Sequence, residues 1–262
     1  QAAWEAPLET IFPTRVPTPL PSLPTEHLYQ PHQRAKAPVT TARPRVLIPV
    51  FPGTNCEVDS ARATARAGAI PEILVLRNRD LSDIEQSLKA LERALDQSQL
   101  LMLPGGFSAG DEPGGSGKFI AAVFRHPRVA DATMRLYAER QGLILGICNG
   151  FQALVKLGLL PFGEIRDMRA DHPSLTTNLI GRHISAYVRT KVVSKLSPWL
   201  SACPLGEVYM TAVSHGEGRF IADETLCSKL YSRHQVASQY VDEHGCPASG
   251  MPDNPNGSVH AL

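Results

Sequence analysis

Hydrophobic and polar positions divide the chain into three textures. From Gln1 to about Pro44 no periodicity is sustained, and prolines recur at Pro13, Pro17, Pro19, Pro21, Pro24, Pro31, Pro38 and Pro44. Proline removes backbone donors and blocks helix, so residues 1–44 are expected to be an extended, irregular linker from an upstream domain. From Arg45 the pattern becomes regular. Val46-Leu47-Ile48-Pro49-Val50-Phe51 is a strand-like apolar run closed by Pro52-Gly53-Thr54-Asn55, and Cys56–Ala67 has helical composition with Gly68 as its stop. Ile73–Leu76 predicts a second strand. Ser82 with Glu85 three residues on fits a capping box, and Ile84, Leu88, Leu91 and Leu95 keep helical spacing behind it. Leu100–Leu103 predicts a third strand, Phe119–Phe124 and Val129–Tyr137 helices, and Leu143–Ile147 a fourth strand followed by the helical spacing of Phe151, Leu154 and Val155.

Strands alternating with helices predict βαβ units. The expected fold class is α/β, an open, mainly parallel sheet with helices on both faces. Past Gly163 the texture changes again. Leu175–Val193, rich in β-branched and polar residues, predicts one or two antiparallel strands, and Tyr209–Val213 and Val236–Val241 predict more. These few antiparallel strands fit an extension of the sheet or a small subsheet in the C-terminal third.

Composition narrows the function classes. A formal charge of +1 over 262 residues gives no electrostatic reason for a nucleic-acid or anionic-membrane partner. No run approaches the ~18–20 apolar residues of a membrane span. The five cysteines are scattered, with no CxxC pair and no zinc-spaced Cys/His cluster, which suits reduced thiols in a cytoplasmic protein without a metal site. No secretory signal pattern opens the chain.

The chemistry-bearing residues collect at the carboxyl ends of the predicted strands, where open α/β sheets place their sites. Cys148 stands between a strand and a helix, with Gly146 two residues before it and Gly150 two after. A reactive residue flanked by glycines at such a turn is the recipe of a nucleophile elbow. The positive end of the following helix favours a thiolate there. Pro104-Gly105-Gly106-Phe107-Ser108-Ala109-Gly110-Asp111 is a second strand-end loop that can bring backbone N–H groups close to a ligand. Gly106 and Asn149 are the candidate donors of an oxyanion hole beside Cys148. Thr54 and Asn55 mark a third such loop. Cys56 lacks flanking glycines and reads as a packing residue. A thiolate needs a base, usually histidine oriented by a carboxylate. His215 and Glu217, two apart and so on one face of a strand, are internal candidates, with a substrate-positioning or partner-contacting loop as the alternative.

Several of these stretches carry a family resemblance. Gly146-Ile147-Cys148-Asn149-Gly150-Phe151-Gln152 resembles the nucleophile motif of class I glutamine amidotransferases, whose glutaminase fold is flavodoxin-like. Phe51–Glu57, Pro104–Asp111, His215-Gly216-Glu217-Gly218-Arg219-Phe220 and Asn254-Pro255-Asn256-Gly257-Ser258 more closely resemble the glutaminase domains of phosphoribosylformylglycinamidine synthases. The likeness runs from about Arg45 to Leu262, so residues 45–262 are expected to be one glutaminase domain. It implies that Cys148 attacks the side-chain amide of glutamine, that Gly106 and Asn149 hold the oxyanion, and that Gln152 holds the substrate. It also implies that the ammonia passes to an ATP-dependent synthetase domain of the same longer chain, in purine biosynthesis. ATP and magnesium would belong to that synthetase, with no cofactor here.

One departure matters. The family's catalytic His-x-Glu follows its Asn-Pro-Asn-Gly-Ser stretch, and this sequence reaches Val259-His260-Ala261-Leu262 without it. His215-x-Glu217 occupies the separate His-Gly-Glu-Gly motif, so the triad is not carried onto it. The His and Glu are expected beyond Leu262, and residues 1–262 alone are expected to be a weak or inactive glutaminase. Two other readings stand beside this one: an α/β cysteine hydrolase of peptidase or deglycase type, and a non-catalytic docking domain.

Overall fold

The computed structural model describes residues 2–9, 11–13, 16, 28–33, 40–108 and 117–262. Pro17, Pro19, Pro21, Pro24 and Pro38 of the leader, and Ala109-Gly110-Asp111 of the glycine-rich loop, lie outside the described residues. Two compact units divide the chain, one of residues 36–174 and one of residues 1–35 with 175–262. Among the described residues no helix is long and apolar enough to cross a membrane.

The leader departs from the extended linker expected of it. Its first residues form a helix, α1 (Ala2–Glu9), where alanine, leucine and glutamate outweigh the single Pro7. Further on, Tyr29 bridges to Ser194 of its own unit. The Tyr29 N–H donates to the Val193 carbonyl and the Lys195 N–H to the Tyr29 carbonyl, both at 2.9 Å. The Tyr29 ring lies flat on His234, centroids 3.9 Å apart.

The unit of residues 36–174 runs β1 (Arg45–Val50), α2 (Glu57–Arg66), β2 (Ile70–Val75), α3 (Leu81–Gln97), β3 (Leu100–Leu103), α4 (Lys118–Phe124), α5 (Pro127–Met134), β4 (Leu143–Gly146), α6 (Asn149–Leu157) and α7 (Leu159–Phe162). The strands pair in parallel in the order β2-β1-β3-β4. Period-2 alternation sends each strand's side chains to two cores. Leu47, Leu101 and Leu103 face a large cluster with Leu91 and Leu95 of α3, Ile120 and Phe124 of α4, and Leu154 and Leu157 of α6. Val46, Ile48 and Met102 face a smaller one with Ala69 and the half-buried Ala61 of α2. Each fully buried leucine of the larger cluster contributes about 1.5–3 kcal/mol. Helices therefore cover both faces, as the alternation of elements predicts.

The start of α3 differs from the sequence reading. Asp80, not Ser82, caps the helix, its carboxylate accepting the Asp83 N–H at 2.8 Å. Ser82 lies inside the first turn, where its hydroxyl accepts from Gln86 Nε2. Both residues satisfy the spacing rule. The earlier one takes the cap, since the carboxylate is also favoured by the helix dipole.

In the other unit β5 (Ser174–Thr176) is followed by β6 (Ile184–Val192), β7 (Val208–His215), β8 (Arg219–Ile221), α8 (Glu224–Ser232) and β9 (Ser238–Val241). β6 lies between β7 and β9 in an antiparallel sheet, and β5 pairs with β8. The antiparallel texture past Gly163 is thus realised as two small sheets. α8, capped by Asp223 on the Leu226 N–H at 2.7 Å, falls where no helix was predicted.

Candidate active site

β4 delivers the chain to Cys148 and α6 takes it away. Cys148 itself has φ 52° and ψ −109°, a backbone conformation rare for a residue with a side chain. The turn is held by the Gly150 N–H on the Ile147 carbonyl at 2.9 Å and the Gln152 N–H on the Cys148 carbonyl at 3.0 Å. The flanking glycines are required by close approach. A Cβ on Gly150 would stand 2.1 Å from the Leu103 carbonyl oxygen, because α6 lies directly on β3, and a Cβ on Gly146 would stand 2.7 Å from the Gly150 carbonyl. The residue so presented is exposed.

The end of β3 brings the glycine-rich loop against it. The place a Gly105 Cβ would occupy is 3.2 Å from Cys148 Cβ and 3.6 Å from Cys56 Sγ. Gly106 has φ 139° and bridges to Thr54 in antiparallel fashion. The Phe107 N–H donates to the Gly53 carbonyl at 2.8 Å and the Asn55 N–H to the Gly105 carbonyl at 3.4 Å. A Cβ on Gly106 would meet the Gly53 carbonyl oxygen at 2.5 Å. The loop after β1 is itself folded back, Thr54 Oγ1 accepting the Phe51 N–H at 3.1 Å. Thr54 and Asn55 therefore brace the glycine-rich loop from behind. Among the described residues neither the Gly106 nor the Asn149 N–H has a hydrogen-bond partner, the condition expected of oxyanion donors.

The Asn149 side chain is almost wholly buried and spans two elements. Its Oδ1 accepts the Ser108 N–H at 3.3 Å, and its Nδ2 donates to Gln152 Oε1 at 3.1 Å. One stretch of structure thus gathers Cys148, Gly106, Asn149, Gln152, Thr54 and Asn55 with the glycine-rich loop.

This arrangement has the geometry of a nucleophile elbow facing a braced loop of backbone N–H groups. The family of CobB/CobQ-like glutamine amidotransferase domains matches residues 43–262. The chain belongs to that family. It is 33% identical over 220 residues to phosphoribosylformylglycinamidine synthase subunit PurQ of Rubrobacter xylanophilus, spanning 83% of this chain and 80% of that one. It is 37% identical over 216 residues to the same subunit of Rhodospirillum rubrum, spanning 81% and 79%. A chain of PurLQS from Thermotoga maritima shares the fold with a TM-score of 0.54 and 26% identity, over 84% of this chain and 86% of that one.

Two further candidates of this glutamine amidotransferase, His215 and Glu217, belong to the unit of residues 1–35 and 175–262. The same-face argument for them fails. β7 ends at His215, and Glu217 sits in the bend that follows, so strand alternation no longer relates the two side chains. His215 Nδ1 is 2.9 Å from Asn178 Oδ1, which also takes the Gly218 N–H at 3.3 Å and Asn256 Nδ2 at 3.1 Å. Asn178 Nδ2 donates to the Arg182 and His215 carbonyls at 2.9 and 2.7 Å, which fixes its Oδ1 as the acceptor end. Nδ1 of His215 therefore carries the proton, and Nε2 is buried with no hydrogen-bond partner among the described residues. Burial, and secondarily the nearby His183, lower the His215 pKa. His260 bonds Ser238 Oγ at 2.7 Å, and burial pushes its pKa down to about 4.

Sequence reasoning missed Asn178, which organises the His-Gly-Glu-Gly and Asn-Pro-Asn-Gly-Ser loops from a stretch with no local signal. Cys56, read as packing, has its sulfur against Gly105.

Proposed function

We propose that this glutamine amidotransferase hydrolyses glutamine at Cys148 and supplies the ammonia to an ATP-dependent synthetase that makes formylglycinamidine ribonucleotide in purine biosynthesis. The observation that carries the reading is Cys148 at φ 52°, held between Gly146 and Gly150 and faced by the Gly105–Gly106 loop. The Cys148 sulfur attacks the side-chain amide carbon of glutamine. The amide oxygen takes up negative charge opposite the Gly106 and Asn149 N–H groups. The carbon–nitrogen bond then breaks, and the nitrogen leaves as ammonia after taking a proton. Water cleaves the resulting γ-glutamyl thioester to glutamate and restores the thiol. Gln152, one turn into α6, holds the substrate glutamine.

The base and its orienting carboxylate are not assigned to His215 and Glu217. His215 Nδ1 is committed to Asn178, and Glu217 is off its strand. His215, Glu217, Thr54 and Asn55 act as bracing or contact residues. The partner is a synthetase, part of the same longer chain, on which ATP and magnesium act in the cytoplasm. The PurQ names of the relatives support that pathway, and the family match favours it over a peptidase- or deglycase-like hydrolase.

The test is Cys148→Ala in the intact enzyme with its synthetase. Glutamine-dependent product formation is expected to fall at least 10³-fold, while free ammonia still supports synthesis. Glutamine-dependent turnover surviving in that variant would sink the reading.

A further inference from the structure

Gly105 stands apart from the other glycines of the site. Gly106 and Gly150 are held to glycine by backbone atoms that a Cβ would strike at 2.5 and 2.1 Å. Gly105 is not among the glycines of positive φ, and the nearest backbone atom to its missing Cβ is the Ile147 carbonyl oxygen at 3.7 Å. The two closer atoms both belong to cysteines, Cys148 Cβ at 3.2 Å and Cys56 Sγ at 3.6 Å. What glycine leaves clear at position 105 is the space between two thiols.

Both cysteines are reduced, Cys148 exposed and Cys56 half-buried. Cys148 arrives on the turn before α6, and Cys56 stands at the N-cap of α2, directly after the loop that follows β1. The Asn55 N–H on the Gly105 carbonyl at 3.4 Å and the Thr54–Gly106 bridge tie that loop to the gap. The Cys56 S–H donates to Oδ1 of the exposed Asn55 at 3.3 Å, a weak bond that rotation of either side chain releases. A disulfide brings its Cβ atoms to about 3.5–4.5 Å, and position 105 puts no side chain in the way.

We infer that Cys56 is a resolving thiol for Cys148, so that a hydroperoxide converts the pair to a disulfide and reversibly silences the nucleophile. The Cys148 thiolate first attacks a peroxide oxygen. An S–O bond forms, the O–O bond breaks, and with hydrogen peroxide the departing oxygen takes a proton and leaves as water. The Cys56 sulfur then attacks the Cys148 sulfur. The S–S bond forms, the S–O bond breaks, and the hydroxyl leaves as water with the Cys56 proton. The sulfurs are oxidised by two electrons and the peroxide is reduced. A dithiol reverses the bridge by exchange, whereas a Cys148 sulfenic acid with no thiol beside it goes on to sulfinic acid and does not return. The bridge itself is independent of the glutaminase reading, and its effect on glutamine turnover rests on that reading.

The experiment treats the intact enzyme, synthetase included, with a few equivalents of hydrogen peroxide. Glutamine- and ammonia-dependent product formation are measured before and after dithiothreitol, and peptide mass spectrometry after alkylation follows residues 56 and 148. Wild type is expected to lose about tenfold or more of its glutamine-dependent turnover, to yield a peptide linked through Cys56 and Cys148, and to regain most of the loss with dithiothreitol. Cys56→Ser is expected to start within about twofold of wild type and to lose turnover similarly, but to recover less than about a fifth of it, with Cys148 found as sulfinic acid. Ammonia-dependent formation should stay within about twofold throughout, since the synthetase step does not use Cys148. Absence of the linked peptide from peroxide-treated wild type overturns the inference, whatever the variant does. So does recovery of Cys56→Ser as complete as that of wild type. Cys148→Ala is measured alongside: glutamine turnover surviving it would overturn the glutaminase reading, while a linked peptide in wild type would still support the bridge.

Discussion

The elbow around Cys148 and the loop network around Asn178 are both assembled from glycine, asparagine and a reactive side chain, yet they are held together by different means. At the elbow the constraint is the absence of atoms. Gly150 brings α6 onto the Leu103 carbonyl, and Gly106 lies against the Gly53 carbonyl, each with no room for a Cβ. In the network the constraint is the saturation of polar atoms. Asn178 Oδ1 accepts from His215, Gly218 and Asn256, and its Nδ2 serves two carbonyls. A site built on close backbone approach tolerates no added volume. A site built on a side-chain hub tolerates volume better than it tolerates the loss of one hub. Substitutions should therefore fail for opposite reasons in the two places.

The largest effect is expected at the elbow. Gly150→Ala puts a methyl 2.1 Å from a backbone oxygen that has no rotamer to yield, so α6 must lift from β3. A loss of about 3 kcal/mol in urea unfolding is expected. Labelling of Cys148 by a glutamine-like electrophile should slow at least 100-fold. Wild-type stability and labelling in this variant would mean that close backbone approach does not hold the elbow. In the network the corresponding deletion is Asn178→Ala, which strands the His215 Nδ1–H, the Gly218 N–H and Asn256 Nδ2 without their acceptor. About 2–3 kcal/mol is expected, with faster hydrogen exchange at the Gly218 amide. If that amide exchanges no faster, Asn178 is not the hub.

The same contrast explains what the sequence disclosed. The elbow was legible because a strand, a nucleophile and two glycines stand within five positions of each other, and steric demand restricts such sites to glycine. The unbroken apolar run of Val46, Leu47 and Ile48 likewise announced a strand buried on both faces. The hub was illegible because Asn178 meets His215 across 37 positions and Asn256 across 78, and nothing local distinguishes an asparagine that serves several partners from one in a turn. Motif spacing alone also misled. His215 and Glu217 looked like neighbours on a strand that in fact ends between them, and Ser82 matched a cap that Asp80 occupies. Asn149 was visible as a backbone donor in the nucleophile motif, but its side-chain bonds depend on where Ser108 arrives from the next loop.

Acid provides the gentlest test of the comparison, because the side-chain network should respond to protons in a way a steric site does not. His260, bonded to Ser238 and set edge-on against Tyr240, has its pKa pushed down to about 4 from an ordinary 6.5, first by burial and then by the neighbouring His215. A histidine whose pKa is lower folded than unfolded binds fewer protons when folded. Stability is then undiminished above about pH 6.5, and it is lost as pH falls from there toward 4, where the unfolded chain takes up protons that the native state refuses. His215, lowered in the same direction, adds to the slope. Between pH 7 and 4 the share due to His260 is about 3 kcal/mol. His260→Asn can keep a polar atom near Ser238 and has no proton to gain. Its urea midpoint should therefore fall less steeply than wild type between pH 6.5 and 4, while the two converge in slope above pH 7. Parallel curves over the acid range would mean that burial does not hold the His260 imidazole neutral in the native protein.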